Sequence, residues 1–375
     1  MCISGYSVHT RQIARYLLDH RTDVDVRFIV TDWGNTPWML DGTMCDGLVG
    51  RIMERTVAPG QERFDAAISV QLPNEWTKLA PVNVGVSACV ETDRCNPSWL
   101  ASCANMDLVI VPSEHIKGVL TNTGALLKPV KVVAEAYSDS CAKEDLHQPH
   151  TFDTSFNFLM VGQLTGNNPH NDRKNTFNAI KWMCDTFKND KDVGVIIKTN
   201  SGRNSLVDRM HTTAALKSII AEVRKCPHPK LYLLHGEMTD DEVAALYRHP
   251  SVKALLAPTR GEGFGLPILE AAASGLPVVA TGWSGHLDFM SLGRFMSVRY
   301  DLKDVHPSRI DDKIFMKGAR WAEPNEEDFR RQVAKFRSSP SVPQGWAKEL
   351  QPKIKEAFSF DAVCRAYDEA LQGVI

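Results

Sequence analysis

Residues 260–285 read Arg-Gly-Glu-Gly-Phe-Gly-Leu-Pro-Ile-Leu-Glu-Ala-Ala-Ala-Ser-Gly-Leu-Pro-Val-Val-Ala-Thr-Gly-Trp-Ser-Gly. Ahead of them, Lys253 to Ala257 is a short apolar run that predicts a buried strand. Gly261, Gly263 and Gly265 then open a loop with little side-chain bulk, which lets a ligand approach the backbone. Pro267 suits the first turn of a helix, Gly275 its C-terminal stop, and Pro277 to Thr281 the next strand. This is one turn of a β-α-β ladder, with its loop at a helix N-terminus where an anion is favoured. Glu262 and Glu270, separated by seven residues, frame the loop. A carboxylate can accept from two neighbouring hydroxyls, so an anion pocket between two such groups fits a nucleotide-sugar. An acid stabilising a helix dipole would explain either glutamate alone. It does not explain the whole block.

The same rhythm continues outward. Phe156–Val161, Val193–Lys198 and Leu231–Leu234 predict strands, and Asn175–Phe187, Leu206–Val223 and Thr239–Arg248 helices. Residues 137–152 are polar without an apolar period and read as a linker. Before it, Val24–Val30, Phe64–Val70, Val82–Cys89, Leu108–Val111 and Val130–Ala134 predict strands. Pro97–Asn105 and the stretch from Glu114 to Thr123 predict helices, and residues 31–60 are irregular. Residues 284–325 read as loop with short elements, followed by helices over Glu326–Phe336, Pro340–Ala357 and Phe360–Gln372. The alternation predicts an α/β fold with parallel sheets: a first domain over 1–140, a linker over 141–152, a second domain over 153–357 and a final helix within 358–375. The start is unusual. A nucleotide-handling α/β domain places a strand before its first glycine turn, yet here Met1-Cys2-Ile3 leads straight into Ser4-Gly5-Tyr6 and a helical pattern through His20. The first strand is expected to be missing or reduced to a stub, through truncation or a start assigned too late.

Bulk properties set outer bounds. The 375 residues suffice for two or three domains. With 43 basic and 45 acidic residues, the chain lacks the basic excess of a general nucleic-acid binder. Nine cysteines, at 2, 45, 89, 95, 103, 141, 184, 226 and 364, form no C-x-x-C pair and no zinc spacing. Reduced thiols are the simplest expectation. With no signal-peptide pattern and no apolar run long enough to span a bilayer, a soluble cytoplasmic protein is expected, with room for peripheral membrane contact.

Glu-Gly-Phe-Gly-Leu-Pro at 262–267, Glu270, and Gly-Leu-Pro-Val-Val-Ala-Thr at 275–281 together resemble the donor-site motif of GT-B glycosyltransferases, in particular glycosyltransferase family 4, the glycosyl transferases group 1. The resemblance implies two Rossmann-like domains facing a cleft, with the last helix returning to the first domain. It implies a retaining transfer of sugar from a nucleoside diphosphate sugar to an acceptor hydroxyl, with no cofactor and no bound metal. On this pattern Glu262 contacts the sugar and Glu270 the ribose, with Gly263, Phe264, Gly265 and Leu266 completing the donor loop. The family's Arg/Lys pair for the diphosphate falls on Lys174 and Arg173, since Gln163 follows Gly162 where some members have Arg. Two cations at a helix start are poorly placed for its dipole unless an anion joins them. Lys198, at a strand end, is a weaker phosphate candidate; Glu237 and Met238 lie where relatives read the base. On the acceptor or sugar side the candidates are Gly5, His9, Glu91 and Asp93. An ion pair with Arg94 explains the last two equally well. Ser113 suits a helix N-cap, His286 is more simply structural, and Trp321 to Pro324 matches a structural segment of the family.

Two other functions stay open. A nucleotide-sugar epimerase on the same fold would need further acid/base groups in the cleft, which the sequence does not identify. A non-catalytic nucleotide-sugar-binding protein fits the stubbed first strand. A glycosidase fits less well, because the two carboxylates flank an anion pocket.

Overall fold

The computed structural model describes all 375 residues except 32, 33, 35, 201 and 203. Two parallel sheets organise the chain. The first takes β1 (Ala66–Val70), β2 (Val82–Val86), β3 (Leu108–Val111) and β4 (Val130–Val132), paired in that order. Helix α1 (Gly5–Asp19) and the short α2 (Leu48–Glu54) precede them, with α3 (Ser98–Ala104) and α4 (Glu114–Thr123) between strands. The second sheet has the strand order β10-β9-β8-β5-β6-β7, from β5 (Phe156–Val161), β6 (Val193–Thr199), β7 (Lys230–His235), β8 (Val252–Ala257), β9 (Val278–Thr281) and β10 (Met296–Val298). Its crossovers are α5 (Thr176–Thr186), α6 (Leu206–Val223), α7 (Asp240–Tyr247), α8 (Leu266–Ala273) and α9 (Leu287–Met290).

β5, β6 and β8 are buried on both faces, as their unbroken apolar runs require of parallel strands. Capping boxes at Ser205–Asp208 and Thr239–Glu242 fix the starts of α6 and α7. Strand order reverses between β5 and β8, so loops leaving their C-terminal ends diverge into a crevice. The block quoted at the outset lies there.

Three expectations need correction. Val24–Val30 alternates like a strand, but Phe28 makes only a single bridge, to Thr56. A ladder needs a neighbour, and periodicity alone does not supply one. Residues 31–60, read as irregular, contain α2, although residues 32, 33 and 35 lie outside the described residues. The loop-rich stretch 284–325 contains an antiparallel hairpin of β11 (Tyr300–Asp304) and β12 (Arg320–Pro324). Its strands are half polar and are joined by residues 305–319 rather than a tight turn, so it lacks a hairpin's usual signature. Ahead of α1, Cys2 makes an antiparallel bridge to Trp38.

The hairpin and the C-terminus tie the halves together. Val305, Phe315, Ala319 and Trp321 are buried in one cluster with Trp76, Val90, Trp99 and Ile116 of the first half. Helices α10 (Glu326–Ser338) and α11 (Ser341–Ala357) cover the second sheet, and α12 (Phe360–Leu371) returns to the first. Phe360, Val363, Tyr367 and Leu371 of α12 pack there on Ile13, Val84, Val86 and Ile110. All nine cysteines are free thiols. Among the described residues no helix is long and apolar enough to cross a membrane.

Candidate active site

Loop 258–265 leaves β8 and enters α8 at Gly265, whose φ of +103° favours glycine. The other loop glycines answer to a different constraint. A Cβ on Gly261 would stand 2.4 Å from the Glu91 carbonyl oxygen, and one on Gly263 3.1 Å from the Ala88 Cβ. They admit the first domain's loop 88–91, rather than the ligand expected from sequence. The Ser113 hydroxyl, besides capping α4, donates to the Gly263 carbonyl at 2.6 Å across the same seam.

Glu262 is 5 % exposed and faces two cations. Lys174 Nζ donates to its two oxygens at 2.7 and 2.9 Å, and Arg173 Nη1 lies 3.4 Å from Oε2. Arg173 also donates to the Gly261 carbonyl at 2.6 Å and pairs with Glu91 at 3.1 Å. Burial alone would raise the Glu262 carboxyl, but Lys174 and then Arg173 overcome it and hold it down to about 2. Burial likewise opposes the Arg173 charge, and Glu91 and Glu262 more than offset it. A pocket of about 480 Å³, counting its open mouth, is lined by Gly162, Lys174, Lys198, Thr259, Glu262, Pro267 and other residues. Lys198 is buried, donates to Asn200 Oδ1 and the Gly236 carbonyl, and is lowered by burial to about 8. Among the described residues, no group of three His, Cys, Asp or Glu side chains is placed to hold a metal ion.

The structure thus brings together Glu262, Lys174, Arg173, Glu91, Gly162 and Lys198. Glu270 does not line this pocket. It sits farther along α8, partly exposed, and accepts from the Tyr247 hydroxyl at 3.3 Å. Burial and the nearby Asp240 push it up to about 8, so near neutral pH it is largely protonated and can donate as well as accept. Gly5 opens α1 with free space around it. Glu237 is exposed, and Met238 and Leu266 pack against the second domain's core.

Three candidates point elsewhere. His9 is buried and bonds Tyr367 Oη of α12 at 2.8 Å, with burial lowering it to about 4. Asp93 accepts from the Arg320 backbone N–H at 2.7 Å and from Arg320 Nε at 2.8 Å, so it clamps the hairpin instead of meeting sugar. The Phe264 ring lies in the core beside Phe289 and Phe358. His286 is fully buried on the Thr281 carbonyl and is structural.

Three residues beyond the candidate set belong to this region. Arg260 anchors the loop from within (see Discussion). The Thr259 hydroxyl is buried, lines the pocket and has no hydrogen-bond partner, so it is available to a ligand. Its place just after a strand end was the available signal. Glu135, on the connection after β4, is 5 % exposed, and its Oε2 has no partner. Burial, then Glu270, push it up to about 8, well above an unfolded value of about 4.3. A raised folded pKa gives stability that is full below the unfolded pKa and lost as pH climbs through about 8. Glu135→Gln imitates the protonated acid at every pH. Urea unfolding should show this variant equal to the parent near pH 4 and more stable at pH 8.5, by about 1–3 kcal/mol. Equal stability at both would refute this electrostatic account.

Comparison with known proteins agrees with this architecture. Residues 211–296, from within α6 to β10, match the family model of glycosyl transferases group 1. No curated protein sequence matches the chain. The fold is similar to a variant of S. aureus TarM solved with fondaparinux, alpha-GlcNAc-glycerol and UDP (TM-score 0.52, 13 % identity, 81 % of this chain and 55 % of that one). It is similar to sucrose-phosphate synthase from Thermosynechococcus elongatus (0.53, 13 %, 79 % and 68 %). It is also similar to Anabaena HepE in complex with UDP and glucose (0.52, 13 %, 78 % and 72 %). The chain therefore spans little more than half of TarM's length. At these identities the likeness is one of fold, and the fold is GT-B.

Proposed function

We propose that this chain is a retaining glycosyltransferase, moving a sugar from a nucleoside diphosphate sugar to an acceptor hydroxyl. The observation that carries the proposal is the convergence of Lys174 and Arg173 on Glu262 at a pocket beneath the start of α8. Two half-buried cations there can neutralise a departing diphosphate in a site with little water, where such charges act strongly. Glu262 then orients the sugar, Thr259 adds a hydroxyl, and Glu270 meets the ribose from farther along α8. Glu91, held by Arg173, presents a carboxylate from the first domain at the acceptor side. Retention and the absence of a metal or cofactor requirement rest on the family resemblance. The bound UDP in the TarM and HepE structures makes uridine the first base to try.

Calorimetry with UDP, GDP and ADP tests the donor site. One diphosphate should bind selectively and weaken at least about tenfold in Glu270→Ala, the loss of about 1.4 kcal/mol. No binding by any of them to folded protein would sink the proposal. Binding without transfer to any acceptor, or with inversion of a sugar centre in the donor itself, would select the non-catalytic or the epimerase function.

A further inference from the structure

Ser284, in the turn after β9, has a φ of +92°, close to the +103° of Gly265. A side chain in that region is strained, and glycine would occupy it without steric cost. The serine hydroxyl is nonetheless used. The residue is buried, and Oγ accepts from the backbone N–H of Glu262 at 2.9 Å. The next residue completes the hold. Gly285 N–H donates to the Glu262 carbonyl at 3.0 Å, and a Cβ on Gly285 would stand 2.1 Å from the Gly263 carbonyl oxygen. Both polar groups of the Glu262 backbone are thus taken by residues 284 and 285. These bonds share no atom with the ion pairs of the Glu262 carboxylate to Lys174 and Arg173.

His286 sets the direction of the hydroxyl. Its Nε2 lies 2.8 Å from the Thr281 carbonyl, which can only accept, so Nε2 carries the proton of the neutral ring. Burial lowers the His286 pKa from its ordinary value, which keeps the ring neutral near pH 7. Nδ1 is then an acceptor, 3.4 Å from Ser284 Oγ. The serine proton turns toward it and leaves an oxygen lone pair for the Glu262 N–H. A buried chain of contacts therefore runs from the end of β9 through His286 and Ser284 to the backbone of Glu262.

We infer that Ser284 is a positioning residue, whose hydroxyl holds the Glu262 backbone so that the carboxylate is aimed at the transferred sugar. Backbone strain of this kind persists where surrounding contacts enforce it, and it gathers at functional sites. Glycine would ease the turn and release Glu262. The role rests on the transferase function proposed above, because Ser284 acts through Glu262.

Ser284→Ala and Ser284→Gly both remove the hydroxyl, and only the glycine removes the strain. The test compares urea unfolding, hydrogen exchange at the Glu262 amide, UDP affinity and steady-state release of UDP from UDP-glucose, all on the full chain. Ser284→Gly should unfold at higher urea than Ser284→Ala. In both variants the Glu262 amide should exchange at least about tenfold faster than in the parent. Both should lower kcat by about ten- to a hundredfold, the effect of a small misplacement of a reacting group. The affinity for UDP, which carries no sugar, should stay at the parental value. Parental kcat in Ser284→Gly overturns the inference, because the serine would then serve only the turn. Unchanged exchange at Glu262 in both variants overturns it too. A loss of UDP affinity matching the loss of kcat also overturns it, by showing that the turn shapes the diphosphate site instead of the aim of Glu262. If the parent leaves UDP-glucose intact, that result bears on the transferase proposal, and the exchange measurement alone decides whether Ser284 holds Glu262.

Discussion

Lys174→Met will cut turnover by about a hundred- to a thousandfold, the usual cost of removing one group that stabilises charge in the transition state. Lys174 is the first-placed cation on Glu262 and lines the pocket directly. Its loss has a second effect. Lys174 contributes most to holding the Glu262 carboxylate ionised against burial, so without it the carboxyl rises from about 2. The sign follows from linkage: a depressed carboxyl gives stability above its unfolded pKa, and that stability is lost as pH falls through the folded value. Lys174→Met should therefore lose stability at neutral pH, by about 2–4 kcal/mol, because the remaining charge is buried with only Arg173 in support. The double variant Lys174→Met/Glu262→Gln removes both charges. It should recover most of the stability measured by urea and none of the turnover. Recovery of turnover would show that Lys174 acts only by pairing with Glu262.

Arg260→Leu will destabilise the protein by about 3–5 kcal/mol, the range for breaking a buried ion pair by deleting one partner. Arg260 is 2 % exposed and uses its whole fork. Nε and Nη2 donate to the two oxygens of Glu323 at 2.8 and 2.9 Å, while Nη1 donates to the carbonyls of Pro169 and Asp172, each at 2.7 Å. One side chain thus joins the loop after β8, the turn that carries Arg173 and Lys174, and the hairpin strand β12. Leucine would strand two carbonyls and a carboxylate. Arg260→Lys should recover little, since a single ammonium cannot span partners set out for a planar fork. Chemical unfolding measures the loss. A change below about 1 kcal/mol, as for exposed pairs, would show that the network does not hold the loop.

These two residues mark how far the sequence could be read. The convergence of Glu262, Lys174 and Arg173 was legible because each sits at a strand end or helix start, within a unit whose local pattern sets its direction. Arg260 stood in the quoted stretch without a role, since its partners come from two other segments of the chain. His9 and Asp93 were misplaced for the same reason: their partners, Tyr367 and Arg320, lie 358 and 227 residues along the chain. Phe264 shows a finer limit, because a loop position does not say whether an aromatic ring faces ligand or core. The second sheet was read almost strand for strand, as unbroken apolar runs allow. The strand foreseen at Val24–Val30 failed because pairing is a property of neighbours in space.

The placement of the hairpin connection and of α12 on the first sheet also bears on how the protein is made. A ribosome releases the chain from its N-terminus, and domains ordinarily fold as they emerge. Here the first sheet cannot fill its core at that moment. Phe315 and Trp321 cover one side of it, and Phe360, Val363, Tyr367 and Leu371 the other. All of these are synthesised after β4 has ended at Val132. At about 5–20 residues per second the uncovered faces persist on the order of tens of seconds. During nascent-chain synthesis, this half of the protein keeps apolar faces exposed until the last helix leaves the exit tunnel.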